Sequence, residues 1–167
     1  MGQVAEKQTD QQPSLAGLTD SLGFLLRMAQ LKVFEQFFKT LGRFELRPGE
    51  FSVLVVIAQN PGVRQGLLAN ALNIKPAHMT KMVRNFETRN LILRAVPEDD
   101  RRAVELSLSK EGERHVTELA PHFYDFDRAQ CEPLTRAEME TLRGLLRKFN
   151  GFPERPTAKL FDLGGGK

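Results

Sequence analysis

The sequence predicts a mainly α-helical protein that contains one small β-hairpin and has helices towards both ends of the chain. Apolar residues recur at helical spacing through most of residues 19–150. The pattern changes to β-prone and alternating segments only between Leu91 and Leu108. Within that stretch, the charged run PEDDRR at residues 97–102 is typical of a hairpin tip.

The first predicted helix begins at a Thr19 or Ser21 cap and ends near Gly42. Its apolar residues form two adjacent stripes rather than one, so the helix needs two apolar partners. In a chain of 167 residues, the simplest second partner is another copy of the same chain, which predicts a homodimer. The apolar positions are Leu22, Leu25, Leu26, Ala29, Val33, Phe34, Phe37, Phe38 and Leu41.

Two further helices follow, separated by a turn at Asn60-Pro61-Gly62. The earlier helix starts at Pro48, a residue suited to the first helical turn. The later one is short and runs from about Arg64 to Leu72. The positions predicted to face the core are Phe51, Leu54, Val55 and Ala58 in the first of these helices and Leu67, Leu68 and Leu72 in the second.

The fourth helix runs from Pro76 to about Arg89 and has one apolar and one basic face. Its inward positions are Met79, Met82, Val83 and Phe86. The opposite side and the preceding turn carry Lys75, His78, Lys81 and Arg84. Asn90 follows the helix and suits a left-handed C-cap.

The last third of the chain has clear helix-start signals. Ser109 can cap a fifth helix, which reaches about Gln130 and which Pro121 should kink. Thr135 and Glu138 form a capping box that opens the last helix. The tail from Asn150 is rich in Pro and Gly, and we expect it to be loosely ordered.

Composition limits the cellular setting and the class of protein. Hydrophobic residues make up 41% and charged residues 27%, which is ordinary for a globular chain. No run of about 18 apolar residues occurs, and the N-terminus resembles no signal sequence, so we expect a soluble, cytoplasmic protein without membrane contact. The single cysteine, Cys131, excludes an intramolecular disulfide and favours a reducing compartment.

The element order favours nucleic-acid binding. Two short helices joined by a tight connection leave the outer face of the second one free, as in a helix-turn-helix. Cations on that face can neutralise phosphates, and short polar groups can reach base edges in the major groove. Arg101 and Arg102 at the hairpin tip add positive charge, and an arginine there could enter a narrow minor groove.

Residues 22–150 resemble the multiple-antibiotic-resistance repressor (MarR) family of winged helix-turn-helix regulators. The matching stretches are PGVRQGLLANAL at 61–72, KPAHMTKMVRNFETRNL at 75–91 and, most specifically, EDDRRAVELSLSKEG at 98–112. The resemblance implies a dimer built from the first and last helices, a recognition helix at 76–89 and a β-wing at 92–107. It also implies that Arg102 enters the minor groove while Asp100 holds it. Asn90 replaces the glycine usual in the family.

This interpretation divides the chain into five segments. They are a flexible arm (1–18), a dimerisation helix (19–46), a winged helix-turn-helix DNA-binding domain (47–109), dimerisation helices (110–150) and a flexible tail (151–167). The predicted DNA-contacting residues are Lys75, Pro76, Ala77, His78, Thr80, Lys81, Arg84, Asp100, Arg101 and Arg102.

The resemblance also implies a small aromatic, often anionic effector in a crevice between the first, second and fifth helices. Arg27 is the candidate anion partner, because a charge on so apolar a helix is costly if it is buried unpaired. The alternative is an arginine whose charged end reaches the solvent. The predicted apolar walls are Phe24, Met28, Phe51, Val55 and Phe123.

Other functions find less support in the sequence. No phosphate-binding loop, HExxH, GxSxG or plausible catalytic triad is present, so we expect neither an enzyme nor a cofactor. Cys131 lacks a resolving cysteine, and the seven-residue spacing of His115 and His122 is not that of a helical metal site. Redox or metal sensing by the same fold and a winged-helix protein-interaction module remain the alternatives.

Overall fold

The computed structural model describes residues 13–98, 100–101, 103–129, 133–154 and 160–161. The chain divides into two compact units, Met1–Val33 and Phe34–Lys167. Among the described residues, no helix is both long and apolar enough to cross a membrane.

The described part of the chain contains six α-helices and two strands in the predicted order, together with a further two-residue strand that was not predicted. The helices are α1 (Leu22–Leu41), α2 (Pro48–Gln59), α3 (Gln65–Ala71), α4 (Pro76–Thr88), α5 (Lys110–Ala129) and α6 (Arg136–Phe149). The strands are β1 (Val63–Arg64), β2 (Ile92–Ala95) and β3 (Glu105–Leu108). They form an antiparallel sheet of order β1-β3-β2. The predicted fold class, mainly helical with a small β-wing, is confirmed.

The first unit contains a 3₁₀ turn at Ala16–Asp20 and the first half of α1. This turn lies partly within the segment expected to be a flexible arm, and no sequence pattern predicted it. Large apolar side chains on this half of α1 are exposed, including Leu22, Leu25 and Met28. A helix with so many exposed apolar residues needs a further apolar surface to cover them.

The second unit is organised around a core that joins α2, α4, α5 and the sheet. The four inward positions predicted for α4, Met79, Met82, Val83 and Phe86, are all buried. The prediction for Leu67 is wrong, because this side chain is 63% exposed and only Leu68 beside it is fully buried. A helix of two turns presents a narrow apolar face, so two consecutive leucines cannot both point into the core.

Local signals fix the ends of several elements. Asn90 has φ +54°, as expected for a left-handed C-cap. The Thr135 backbone N–H donates to the Glu138 carboxylate at 2.8 Å, and the Glu138 N–H donates to the Thr135 hydroxyl at 3.3 Å, so the predicted capping box is confirmed. The Ser109 hydroxyl accepts from the Gly112 N–H at 3.0 Å and caps α5 as expected. Pro121 lies inside α5.

His115 on α5 is a half-buried histidine whose Nε2 atom has no hydrogen-bond partner among the described residues. The ring meets the edge of Phe44, with centroids 5.7 Å apart. Burial lowers the pKa of His115 below its usual value, and the positive charge of Arg89 acts in the same direction. The carboxylates of Glu118 and Glu111 oppose this shift without reversing it.

We therefore expect stability to fall as the solution becomes acidic. The unfolded chain protonates this histidine near pH 6.5, whereas the folded chain resists protonation. Above that pH the histidine is neutral in both states and does not reduce the free energy of unfolding. Below it, protonation of the unfolded chain lowers the free energy of unfolding by less than about 1.4 kcal/mol per pH unit. Urea unfolding of the wild type and of His115→Phe at pH 7.5 and 5.5 measures this effect. An equal loss in both proteins would contradict the assignment to His115.

Candidate nucleic-acid interface

The turn between α3 and α4 sets the position of the predicted recognition helix. Asn73 adopts a left-handed conformation with φ +51°, and the Ile74 N–H donates to the Ala69 carbonyl at 2.8 Å. The Lys75 carbonyl then accepts from the N–H groups of the first turn of α4, and Pro76 occupies that turn. The short connection holds α4 close to α3. The apolar face of α4 packs on the core, and the opposite face therefore points outward.

The outward face of α4 carries accessible polar and basic groups. Lys75, His78, Lys81 and Arg84 are exposed, and their side chains form no hydrogen bond or ion pair with any described residue. Lys75, Lys81 and Arg84 therefore have no described anion that would compete with an external phosphate. The other predicted contact residues of this turn, Pro76 and Ala77, are also exposed.

Thr80 differs from its neighbours because it is half-buried and hydrogen-bonded. Its hydroxyl donates to the Pro76 carbonyl at 3.0 Å and accepts from the Gln65 side-chain amide at 3.3 Å. Gln65 in turn donates its backbone N–H to the Val104 carbonyl at 2.8 Å. Thr80 and Gln65 thus connect α4 to the start of α3 and to the wing. We infer a positioning role for Thr80 in addition to its predicted contact with DNA.

Asp100 in the wing forms an ion pair with Arg64, the residue before α3. One carboxylate oxygen of Asp100 lies 3.7 Å from an Arg64 guanidinium nitrogen, and both side chains are about two-fifths exposed. The Ala103 N–H donates to the Asp100 carbonyl at 2.9 Å and tightens the hairpin tip. Arg101 is exposed. Arg102 lies outside the described residues, so its predicted pairing with Asp100 stays a prediction, whereas the Arg64 contact was not foreseen.

We expect an Asp100→Asn variant to bind DNA several-fold more weakly with nearly unchanged stability. An exposed ion pair contributes less than about 1 kcal/mol, so folding is little affected. Removing a negative charge near DNA would by itself strengthen binding, so weaker binding would identify a positioning effect. Fluorescence anisotropy with a selected DNA fragment measures the change. Asp125→Asn, whose carboxylate pairs with Arg128 on α5, is the matched control. Unchanged or tighter binding by Asp100→Asn would exclude the positioning role.

An open cavity of about 780 Å³ lies between the end of α1, the start of α2 and α4, the predicted recognition helix. Phe34, Phe38 and Met82 contribute apolar surface, Arg47 and Lys81 contribute positive charge, and Glu45 and Glu50 contribute negative charge. The remaining lining residues are Gly42, Leu46, Pro48, Gly49, His78 and Asn85. Sequence patterns do not reveal this cavity, because α4 is distant in sequence from the end of α1 and the start of α2 and meets them only in the folded chain.

Glu50 connects two walls of this cavity. Its carboxylate accepts from the Arg47 backbone N–H at 2.9 Å and from the Asn85 side-chain amide at 3.2 Å. Since Arg47 precedes α2 and Asn85 lies on α4, the Glu50 side chain both caps α2 and binds α4. A molecule in the cavity would therefore contact groups that determine how α4 is held.

The residues predicted to contact an effector fall into both units. Phe24, Arg27 and Met28 lie on α1 in the first unit, where Phe24 is half-buried and the other two are exposed. In the second unit Val55 is buried on α2. The remaining two are Phe51 and Phe123, whose rings stack with centroids 4.8 Å apart.

Comparison with known proteins identifies the family. The sequence profile of the MarR family matches residues 46–104. A putative transcriptional regulatory protein for the hcr operon of Thauera aromatica is 35% identical over 136 residues, covering 81% of this chain and 80% of that protein. The chain belongs to the MarR family. It is thus a transcriptional regulator of the MarR type and not an enzyme, as predicted.

Solved structures of MarR-type regulators share the fold. The transcriptional repressor CouR, bound to a 23-mer DNA duplex, superposes with a TM-score of 0.79 at 28% identity, covering 84% of this chain and 99% of CouR. BpsR of Bordetella bronchiseptica, whose DNA binding is regulated by 6-hydroxynicotinic acid, superposes with a TM-score of 0.74 over 85% of this chain and all of BpsR. Its identity is 23%, so this likeness concerns the fold alone.

One of the two alternatives, a redox or metal sensor of the same fold, depends on cysteine and histidine. Cys131 lies outside the described residues, so its predicted lack of a redox role stays a prediction. Across the described ranges, no three His, Cys, Asp or Glu side chains come together as a group that could hold a metal ion. His115 instead contacts Phe44, and the His122 ring lies 5.6 Å from the same phenyl ring.

Proposed function

We propose that this MarR-family regulator is a homodimeric repressor that binds a pseudo-palindromic DNA site and is released by a small aromatic acid. The observation that carries the DNA-binding part is the row of exposed cations on α4, which have no internal partner among the described residues. Such a face suits the phosphate backbone, whose neutralisation dominates the affinity of proteins for DNA. The DNA-contacting residues are proposed to be those predicted from the sequence.

Exposed apolar side chains on α1 and α6 support the dimer. Exposed leucines and phenylalanines at helical spacing need cover, and a second copy of the chain supplies a complementary face by symmetry. Sedimentation velocity at micromolar concentration tests this part, with a dimer expected and a monomer contradicting it. The residues proposed to be covered are Leu22, Leu25, Leu26, Met28, Leu31, Val33, Leu142, Leu145 and Phe149.

The effector is proposed to occupy the open cavity beside α4. Its apolar walls suit an aromatic ring, and the Arg47 and Lys81 side chains suit a carboxylate. Because Lys81 and His78 belong both to the cavity and to the predicted DNA-contacting face, a ligand bound there would compete with DNA for the same side chains. BpsR, which shares the fold, is regulated by 6-hydroxynicotinic acid, and we choose that acid as one of the compounds to test.

We expect 6-hydroxynicotinic or 4-hydroxybenzoic acid to release the protein from a selected DNA fragment. In Arg47→Ala, about tenfold more acid should be required, because a charge-assisted contact is lost. Its DNA affinity should stay within about twofold, since Arg47 lies outside the predicted DNA-contacting set. Anisotropy titrations with the acid measure both quantities.

Arg27→Ala serves as the comparison variant because Arg27 was the anion partner predicted from sequence. Loss of the response in Arg27→Ala alone would place the effector in the predicted crevice and refute the cavity. A normal response in both variants would exclude both arginines as anion partners. No release of the wild type by either acid would contradict the proposed effector class.

A further inference from the structure

Arg89 follows the last residue of α4 and binds a turn from a distant part of the chain. Its two terminal guanidinium nitrogens donate to the Glu45 carbonyl at 3.0 Å and to the Phe44 carbonyl at 3.2 Å. Both carbonyls lie at the end of a 3₁₀ turn, Gly42–Phe44, between α1 and α2. The planar guanidinium presents its donors as a rigid fork, so two bonds to consecutive carbonyls fix direction as well as distance.

The turn between α1 and α2 is itself held in place. Glu45 at its end has a left-handed conformation with φ +53°, and the Glu45 N–H donates to the Gly42 carbonyl at 3.0 Å. The Phe44 ring packs against His115 and His122 on α5, with centroids 5.7 and 5.6 Å away. The turn is therefore a fixed point against which the end of α4 is oriented.

Side-chain hydrogen bonds hold α4 at three points along its length. Thr80 binds Gln65 near the start of the helix, Asn85 binds Glu50 further along, and Arg89 binds the turn at the C-terminal end. Apolar burial keeps the helix on the core, but the hydrophobic effect has no direction. Small rotations and shifts of the helix are therefore resisted most by the hydrogen bonds.

Arg89 lies apart from the residues predicted to contact DNA. It is more than one helical turn beyond Arg84, and a recognition helix contacts base edges with its N-terminal residues. The Arg89 side chain is half-buried and directed at the turn. We propose that Arg89 is a positioning residue that orients the recognition helix for specific DNA sequences without contacting DNA. This inference rests on the proposed DNA-binding role of α4.

An Arg89→Ala variant should lose specific binding and keep non-specific binding. We expect its affinity for a selected fragment to fall about tenfold, because a displaced recognition helix loses base contacts. Its affinity for a duplex of random sequence should stay within about twofold, since phosphate contacts supply that binding. The slope of log affinity against log salt on the random duplex should not change. Fluorescence anisotropy measures these quantities.

Arg89→Lys separates the geometry of the side chain from its charge. Lysine keeps the positive charge but offers one nitrogen in place of the fork, so only part of the specific affinity should return. If Arg89 bound a phosphate instead, alanine would weaken binding to both duplexes and reduce the salt slope by about 1, and lysine would restore both. Arg114→Ala is the matched control, because this exposed arginine of α5 pairs with Glu111 and Glu118, and it should bind as the wild type does.

Urea unfolding of each variant gives the folded fraction under the titration conditions. An equal loss of affinity for the selected and the random duplex would show a merely structural role and overturn the proposal. If Arg89→Ala does not fold, Arg89→Lys carries the test, and wild-type specificity in that variant would overturn the proposal. Wild-type specificity in Arg89→Ala would contradict this inference alone. A wild type that does not distinguish any fragment from random DNA would contradict the proposed function as well.

Discussion

A Gly112→Ala variant is expected to lose about 3 kcal/mol or more of its free energy of unfolding, the largest loss we expect from adding a single methyl group. A Cβ atom at this position would lie 1.9 Å from the Leu91 carbonyl oxygen and 2.9 Å from its carbon. Both atoms belong to the backbone, so no side-chain rotation relieves the overlap. Urea unfolding followed by circular dichroism measures the loss.

The clash is costly because the surrounding groups are fixed. The Leu91 carbonyl also accepts from the Ser109 N–H at 3.1 Å. The Ser109 hydroxyl caps α5 by accepting from the Gly112 N–H. Moving α5 away from Leu91 would break these bonds. Alanine is favoured over glycine inside a helix by only about 1 kcal/mol, which does not offset such a displacement.

Gly66→Ala is the matched control, because nothing lies within 4 Å of the added Cβ in α3. It should stabilise the protein by roughly 0.5–1 kcal/mol through the higher helix propensity of alanine. If Gly112→Ala were as stable as the wild type, the close approach of α5 to Leu91 would be wrong. Gly112, which ends the matching stretch at 98–112, would then have no role in bringing α5 against the sheet.

Replacing Lys81 and Arg84 together with alanine is expected to weaken DNA binding by about 100-fold at moderate salt. Both side chains are exposed on α4 and neither is engaged by an internal partner among the described residues. Each lost phosphate contact should also reduce the slope of log affinity against log salt by about 1. Anisotropy titrations of a selected fragment at several salt concentrations measure both effects.

Arg128→Ala is the control for this double variant. Arg128 lies in the last turn of α5 and pairs with Asp125, so its loss removes one positive charge far along the chain from the predicted interface. Its DNA affinity and salt slope should match those of the wild type. Equal slopes for the wild type and the double variant would show that α4 does not contact phosphates.

Features with a local cause were predictable from the sequence. The inward face of α4 follows from apolar residues at helical spacing, and all four predicted positions are buried. Asn90 and the Thr135–Glu138 capping box depend on residues close in sequence, and both were predicted correctly. The charged hairpin tip and the helix-turn-helix likewise follow from local composition.

Features that join distant segments were missed. Strand β1 is two residues long and exists through its pairing with β3, about forty residues later, so no local pattern marks it. The same reason applies to the contact of Arg64 with Asp100, to the cavity beside α4 and to the contact of Phe161 with Phe123 on α5. The prediction that Leu67 faces the core was wrong for another reason, since this apolar side chain points outward.

The most direct test of the central claim is to select bound fragments from sheared genomic DNA of the source organism and to titrate the best one at two salt concentrations. We expect an inverted repeat whose half-sites lie about one helical turn apart, contacted by both recognition helices of a dimer. Between about 50 and 200 mM salt its affinity should fall by about 10³-fold or more, because each protomer offers several phosphate-binding cations. No enrichment over random DNA, or binding that is insensitive to salt, would contradict a DNA-binding α4 and would favour a protein-interaction role for this face.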